Sequence, residues 1–380
     1  MRKLGLYLHI PFCVKKCNYC DFYSLCTLKG ENLSSYIDAL CSHIERESQA
    51  YREREIDTIF IGGGTPSLIE CEDFIKLCDT IKKSLNVAEN VEFSIEANPD
   101  TITQEKAQTW KECGVNRVSI GLQSALDEDL SVLGRVHDLK AFETGFSIVR
   151  ERGFDNVNVD IMYALPSQTV AGLSKTLDYV AKLSPEHISA YCLKIEDSTP
   201  FAKMIDSLSI ATDDEQYEMY LSIFEHLSSL GYEQYEISNF ARQGKRCRHN
   251  MKYWLREEYI ALGPSAHSFF DGKRYFYEPS VEKYTLPLVN GSVPEKLFEE
   301  EHTLSSDEKI DEYVMLRLRL CDGVCEDEFR KEFGKELSSL YDFEKYIKSG
   351  HIVKKGNSYS FTTKGFFVSN FILSDILKSI

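Results

Sequence analysis

"LHIPFCVKKCNYCDFYS", residues Leu8–Ser24, places three cysteines within eight positions, at spacing C-x3-C-x2-C, directly behind the short apolar run that opens the chain. Five more β-rich apolar runs follow, at Ile56–Ile61, Val91–Ile95, Arg117–Leu122, Val157–Tyr163 and His187–Leu193, with helical stretches between them. Strands alternating with helices read as parallel βαβ units wound right-handed. Six such units, counting Leu4–Ile10, predict an α/β chain built on a partial (β/α)6 barrel. The helices carry matching punctuation: in "DTITQEKAQTWKECG" Thr101 or Thr103 is the N-cap and Gly114 the C-terminal stop.

Polar residues stand at the carboxyl ends of these strands: Gly62–Thr65, Glu96, Gln123, Tyr163 and Lys194. In parallel barrels that rim is where sites are built. Asp160 lies inside an apolar strand, "VNVDIMYAL", where a carboxylate needs a bonded neighbour. "YEQYEISNFA" reads as one more strand-like run, after a helix at Asp213–Leu230. From Glu278 to Ser306 the composition turns to Pro, Gly, Ser and Glu, the mark of a linker or irregular crossover. The tail reads as helices at Asp307–Leu320, Glu326–Phe333 and Leu337–Ser349, a hairpin turning at Gly356-Asn357, and a last helix. That predicts a winged-helix-like α+β domain over 305–380, after a barrel domain over 1–240 and a bridging segment over 241–304.

Size and charge narrow the class. The 380 residues include 44 Lys and Arg against 60 Asp and Glu, a net charge of −16 that repels phosphate backbones and argues against nucleic acid as the main partner. The mixed charge of the tail points to docking or a lid rather than DNA binding. The N-terminus lacks the long apolar core of a signal peptide, and no run reaches the ~18 apolar residues of a membrane span, so the expected compartment is the cytoplasm, with thiols reduced. Contact with a membrane surface has no readable signature in the sequence. Eight of the twelve cysteines, from Cys26 to Cys325, read as reduced structural thiols.

Three cysteines leave a closed metal site one ligand short. A structural zinc completed by His9 is one solution; an iron-sulfur cubane with three corners held and the fourth iron open to a ligand is the other. The strand "TIFIGGGTPS" runs straight into Gly62-Gly63-Gly64-Thr65, where absent side chains let a ligand lie against the backbone; the dinucleotide spacing G-x-G-x-x-G is missing.

With "YLHIPFC", "GGGTPS", "FSIEANP", "SIGLQS", "LGRVH" and "VNVDIMYALPSQT", the chain resembles the radical S-adenosylmethionine enzymes, and within them the oxygen-independent coproporphyrinogen oxidase-like group. The resemblance implies that Cys13, Cys17 and Cys20 hold a 4Fe-4S cluster whose fourth iron binds S-adenosylmethionine. It further implies that Tyr7, Gly63, Gly64, Thr65, Glu96, Gln123, Arg135 and Asp160 line the S-adenosylmethionine pocket. In that picture Glu96 takes the ammonium, Arg135 the carboxylate and Asp160 the ribose hydroxyls. The true oxidases of the group carry a fourth cysteine two positions beyond the third and a long N-terminal extension. Here Asp21-Phe22 follows Cys20 and the first strand begins near Leu4, which matches instead shorter relatives regarded as haem chaperones.

Those relatives share an H-N-x-x-Y-W segment, present as "HNMKYW", His249–Trp254. The resemblance makes His249 an axial haem ligand, with Arg246 or Arg248 for the propionates and Tyr253, Trp254, Phe269 and Phe270 for the ring. Cys247, Met251 and His267 are rival ligands, and the structural alternative is that His249 and Asn250 bond a turn beside the barrel mouth. Two functions stay open: a chaperone that binds haem and hands it to apo-haemoproteins, among them respiratory ones, as monomer or dimer; or an oxidase that decarboxylates coproporphyrinogen III to protoporphyrinogen IX.

Overall fold

The computed structural model describes residues 1–26, 30–298 and 305–377. The six expected runs form parallel strands, each hydrogen-bonded to the next: β1 (Arg2–Ile10), β2 (Arg54–Gly63), β3 (Val87–Ala97), β4 (Arg117–Gln123), β5 (Val157–Tyr163) and β6 (His187–Cys192). Side chains alternate between faces along a strand. On β5, Val157, Val159 and Ile161 join the apolar cluster that includes helix residues such as Leu77, Trp110, Phe142 and Leu177, while Asn158 and Asp160 face the cavity on the other side. The sheet is therefore apolar toward its covering helices and polar within its curve. Thr103 caps its helix by accepting from the Lys106 amide, and Gly114 ends it in a left-handed turn at φ 101°, as expected.

Among the described residues the sheet runs to twelve strands. A seventh parallel strand, Tyr259–Leu262, pairs with the outer edge of β1, followed by antiparallel His267–Phe270, Lys273–Phe276 and Leu297–Phe298. At the opposite edge "YEQYEISNFA" makes two short strands, Glu233–Gln234 and Asn239–Ala241, the second antiparallel to β6. The stretch that composition marked as a linker holds the helix Val281–Val289, capped by the Ser280 side chain and burying Tyr284 and Leu288. Its continuation at 299–304 lies outside the described residues.

At the C-terminus, helices Ser306–Leu318 and Glu326–Phe333 pack with a three-stranded antiparallel sheet of Val324–Cys325, Ser358–Phe361 and Ile352–Lys355. The helix expected over Leu337–Ser349 is two, Leu337–Leu340 and Glu344–Lys348, because Tyr341 and Phe343 turn inward between them as buried side chains. Arg256 ties this unit to the barrel through Glu312 (2.7 Å) and Glu332 (3.4 Å).

Candidate functional site

The three cysteines stand on the loop leaving β1, anchored by neighbours on every side. Asn18 donates from its amide to the Leu133 carbonyl (2.9 Å), and its own carbonyl accepts from the Phe201 amide (2.9 Å). Phe12–Cys13 pairs in parallel with Leu25–Cys26. The strand after Gly62 passes so close that a Cβ on Gly64 would lie 2.7 Å from the Phe12 carbonyl and 3.0 Å from Cys13 Sγ. Gly63, at φ 116°, adopts a conformation that side chains rarely reach. Thr65 Oγ1 approaches Cys13 Sγ at 3.5 Å, and Arg135 Nη1 approaches Cys17 Sγ at 3.5 Å. Burial raises the Cys13 thiol and pushes Cys20 up to about 11, so ligation there must release protons.

His9 is not placed as a fourth ligand. Its Nε2 bonds the Tyr23 carbonyl (3.0 Å) and its Nδ1 the Tyr7 hydroxyl (3.1 Å). Among the described residues, no three His, Cys, Asp or Glu side chains come together around one ion. A mononuclear zinc, which wants four ligands at about 2.0–2.3 Å, does not fit this donor set. Three free thiols on one glycine-backed loop do fit the three held corners of a cubane.

Below the loop, the concave face of the sheet encloses a cavity of about 170 Å³ lined by Tyr7, Phe60, Glu96, Arg117, Ser119 and Asp160, among others. Glu96 Oε2 accepts from the Gly63 amide (3.0 Å); burial and the neighbouring Asp160 charge push its pKa up to about 7. Asp160 is both things the sequence allowed: a bonded interior carboxylate, accepting from Ser119 Oγ (2.9 Å) and Asn158 Nδ2 (2.8 Å), and a wall of the cavity. Arg117 faces the same space with its Nε buried and unpartnered. Arg135 and Gln123 meet a little higher, around Gly121, and Arg135 Nη2 donates to Asn98 Oδ1 (2.9 Å).

The "HNMKYW" segment lies at the opposite end of the barrel. It forms the helix Arg248–Leu255, whose first amides, at Arg248 and His249, both donate to the Glu92 carboxylate at 2.9 Å, near the start of β3. A carboxylate at a helix N-terminus is favoured there by the orphan amides and the dipole. His249 is fully buried, bonded to Thr58 Oγ1 (2.8 Å) and to the Tyr253 hydroxyl (2.9 Å), and stacked on Phe60. Both of its nitrogens are thus engaged by protein groups in this structure. Lys252 is also buried, paired with Asp57 (2.8 Å). Arg246 pairs with Asp322 (3.2 Å) and Arg248 with Asp57 (3.6 Å). Cys247 is buried, His267 stacks on Phe276, and Phe270 packs edge-on against Tyr51. The segment floors the barrel and lifts Asn250 and Tyr253 into the cavity wall.

Residues missed from sequence are the deeper wall: Arg117, Ser119, Asn158, Ser189, Tyr191 and Asn250. A signal existed for some of them, since "RVSIGLQ" alternates Arg117, Ser119, Gly121 and Gln123 with apolar partners.

Residues 7–180 match the radical SAM superfamily and residues 304–368 the HemN C-terminal domain. The chain is 35% identical over 338 residues to the heme chaperone HemW of Bacillus subtilis, covering 88% of each protein. The chain belongs to the HemW family. To the HemW of Haemophilus influenzae it is 34% identical, covering 97% of each, and to that of Escherichia coli 33%, covering 89% of this chain and 91% of the relative. This HemW-family chain also superposes on the coproporphyrinogen III oxidase HemN of Escherichia coli with a TM-score of 0.85, at 21% identity, covering 98% of this chain and 89% of that one. That likeness shows a shared fold. No helix among the described residues is long and apolar enough to cross a membrane.

Proposed function

We propose that the protein is a cytoplasmic haem chaperone that binds haem, carries a 4Fe-4S cluster on Cys13, Cys17 and Cys20 with S-adenosylmethionine at its open corner, and delivers haem to apo-haemoproteins. The observation that carries this reading is similarity to heme chaperones HemW at 33–35% identity over nearly the whole chain, joined to Asp21-Phe22 where the oxidases of the group have a further cysteine. When bound, such a cluster supplies one-electron chemistry to S-adenosylmethionine.

The chain's own part is positioning. The three thiols hold the cluster, and Gly62–Gly64 leave room for a ligand against the backbone. Glu96, accepting from the Gly63 amide, has a second oxygen for an ammonium, and it is charged only above its pKa of about 7. Arg135 lies between the cluster loop and the pocket, where a guanidinium can take a carboxylate. Tyr7 and Asp160 line the cavity, with Asp160 able to accept ribose hydroxyls, while Thr65 stands against Cys13 and Gln123 beside Arg135, nearer the cluster loop.

The test is anaerobic. After cluster reconstitution, haem is titrated while the Soret band is followed, and coproporphyrinogen III is offered with S-adenosylmethionine and a reductant. Stoichiometric haem binding without decarboxylated product is the expected result; turnover without stable haem binding would make the protein an oxidase.

A further inference from the structure

The side-chain donors that reach the cluster thiols are joined to one another at Asn98, the residue that follows β3. Its Oδ1 accepts from Arg135 Nη2 (2.9 Å) and its Nδ2 donates to Thr65 Oγ1 (3.2 Å). Those two partners in turn reach Cys17 Sγ and Cys13 Sγ, each at 3.5 Å. One amide therefore connects two of the three thiols. Asn98 stands two residues after Glu96 in "FSIEANP", so one strand end serves both the pocket and the cysteine loop.

The direction of each bond follows from what the groups can do. A guanidinium only donates, so the amide turns Oδ1 to Arg135 and Nδ2 to Thr65. The Thr65 hydroxyl oxygen accepts that Nδ2–H, and the acceptor within reach of its own hydrogen is Cys13 Sγ. The backbone of Asn98 is fixed as well. Its N–H donates to Ser67 Oγ (3.0 Å), and its carbonyl accepts from the Thr101 amide (3.1 Å) and hydroxyl (2.8 Å). Ser67 Oγ and Thr101 Oγ1 close the ring at 2.5 Å. Thr65 and Ser67 are buried, where hydrogen bonds meet little competition from water.

An O–H or N–H aimed at a thiolate steadies its negative charge, and that charge grows when a cluster on the thiolate takes up an electron. Hydrogen bonds to the sulfurs are accordingly a lever on reduction potential.

We propose that Asn98 is a positioning residue for the cluster: its amide turns the Thr65 hydroxyl toward Cys13 and holds the Arg135 guanidinium on Cys17, so that both donors favour the reduced state. The inference rests on the reading of Cys13, Cys17 and Cys20 as 4Fe-4S ligands and assigns groups that tune that cluster.

The experiment measures iron, sulfide and the cluster midpoint, by anaerobic redox titration with dithionite followed by electron paramagnetic resonance. The reconstituted full chain is compared with Thr65→Val, Thr65→Ser, Asn98→Asp and the double variant Thr65→Val/Asn98→Asp. Thr65→Val keeps the shape and removes the hydroxyl. At the wild-type midpoint its ratio of reduced to oxidised cluster is expected to fall about tenfold, a shift of about 59 mV for one electron. Thr65→Ser keeps the hydroxyl and is expected to titrate as wild type does. Asn98→Asp replaces the N–H donor by a second acceptor, which draws the Thr65 hydrogen off Cys13; the ratio is expected to fall at least as far. Without the hydroxyl Asn98 has nothing to turn, so the shifts should not add. Asn98→Asp is expected to move the midpoint of the Thr65→Val protein by less than half of what it does in wild type. Wild-type midpoints in both single variants, or additive shifts in the double one, would overturn the proposal and leave the cluster reading standing. Loss of iron and sulfide from these near-isosteric variants would do the same, by making Asn98 and Thr65 supports of the fold. A wild type that takes up no iron and sulfide would overturn both.

Discussion

Replacing His249 by Phe separates a structural histidine from an iron ligand. The ring keeps its stacking on Phe60 and its edge contact with Tyr253, but Thr58 Oγ1 and the Tyr253 hydroxyl each lose a buried partner. An orphaned buried polar group costs about 1–3 kcal/mol, so two of them cost about 2–4 kcal/mol after partial relaxation. For a large domain ~2 °C of melting temperature corresponds to each kcal/mol, predicting a loss of roughly 4–8 °C by circular dichroism or calorimetry.

The loss depends on pH in a defined direction. In the fold, burial and then the Lys252 and Arg117 charges push the His249 pKa down to about 3, whereas the unfolded value is ~6.5. The neutral form is the folded form. Its contribution is complete above pH 6.5 and is lost as pH falls from 6.5 toward 3, by up to ~1.4 kcal/mol per pH unit. The gap between wild type and His249→Phe should therefore narrow on acidification from pH 7 to 5. A variant that melts like wild type at pH 7 but has lost its Soret band would refute the reasoning.

Gly64→Ala sets a Cβ 2.7 Å from the Phe12 carbonyl and 3.0 Å from Cys13 Sγ, so reconstituted iron and sulfide content should fall sharply with little change in far-ultraviolet circular dichroism. Glu96→Gln should weaken S-adenosylmethionine binding by calorimetry about tenfold or more at pH 8 and much less at pH 6, where the wild-type carboxyl is already protonated. Lys252→Met leaves Asp57 buried with the Arg248 guanidinium at 3.6 Å and the exposed Lys3 ammonium at 4.0 Å, and should cost about 3 kcal/mol in denaturant unfolding. Cys13 and Cys26 are paired across adjacent strands, a spacing of about 4.8 Å that a disulfide can span; treating cluster-free protein with a disulfide reagent should yield a Cys13–Cys26 crosslink in peptide mass spectra, absent in Cys26→Ser.

The barrel strands and the cysteine loop were legible because each rests on a local pattern: apolar runs of strand length, and a ligand spacing on one loop. The seventh parallel strand, Tyr259–Leu262, was not, since four residues show no alternation to count and their pairing with β1 is fixed more than 250 residues away along the chain. The helix Val281–Val289 hid in a stretch whose Pro287 and flanking glycine, serine and glutamate suggested a linker; two buried side chains, Tyr284 and Leu288, outweigh that composition. The surroundings of His249 were hidden for a related reason. A histidine beside arginines and aromatics carries ligand chemistry in sequence, but only tertiary contact reveals that Thr58 and Tyr253 take both of its nitrogens. Asp160 was noticed because one acid in an apolar strand stands out, whereas Arg117 and Ser119, in a strand with evenly spaced polar residues, did not.

The most direct measurement of the central claim is transfer. Haem-loaded, cluster-containing protein is mixed anaerobically with an apo-haemoprotein, and the Soret spectrum of each is followed after rapid separation. The account predicts that haem leaves this chain and appears stoichiometrically in the acceptor; haem that stays bound while coproporphyrinogen III is decarboxylated in a parallel reaction would contradict it.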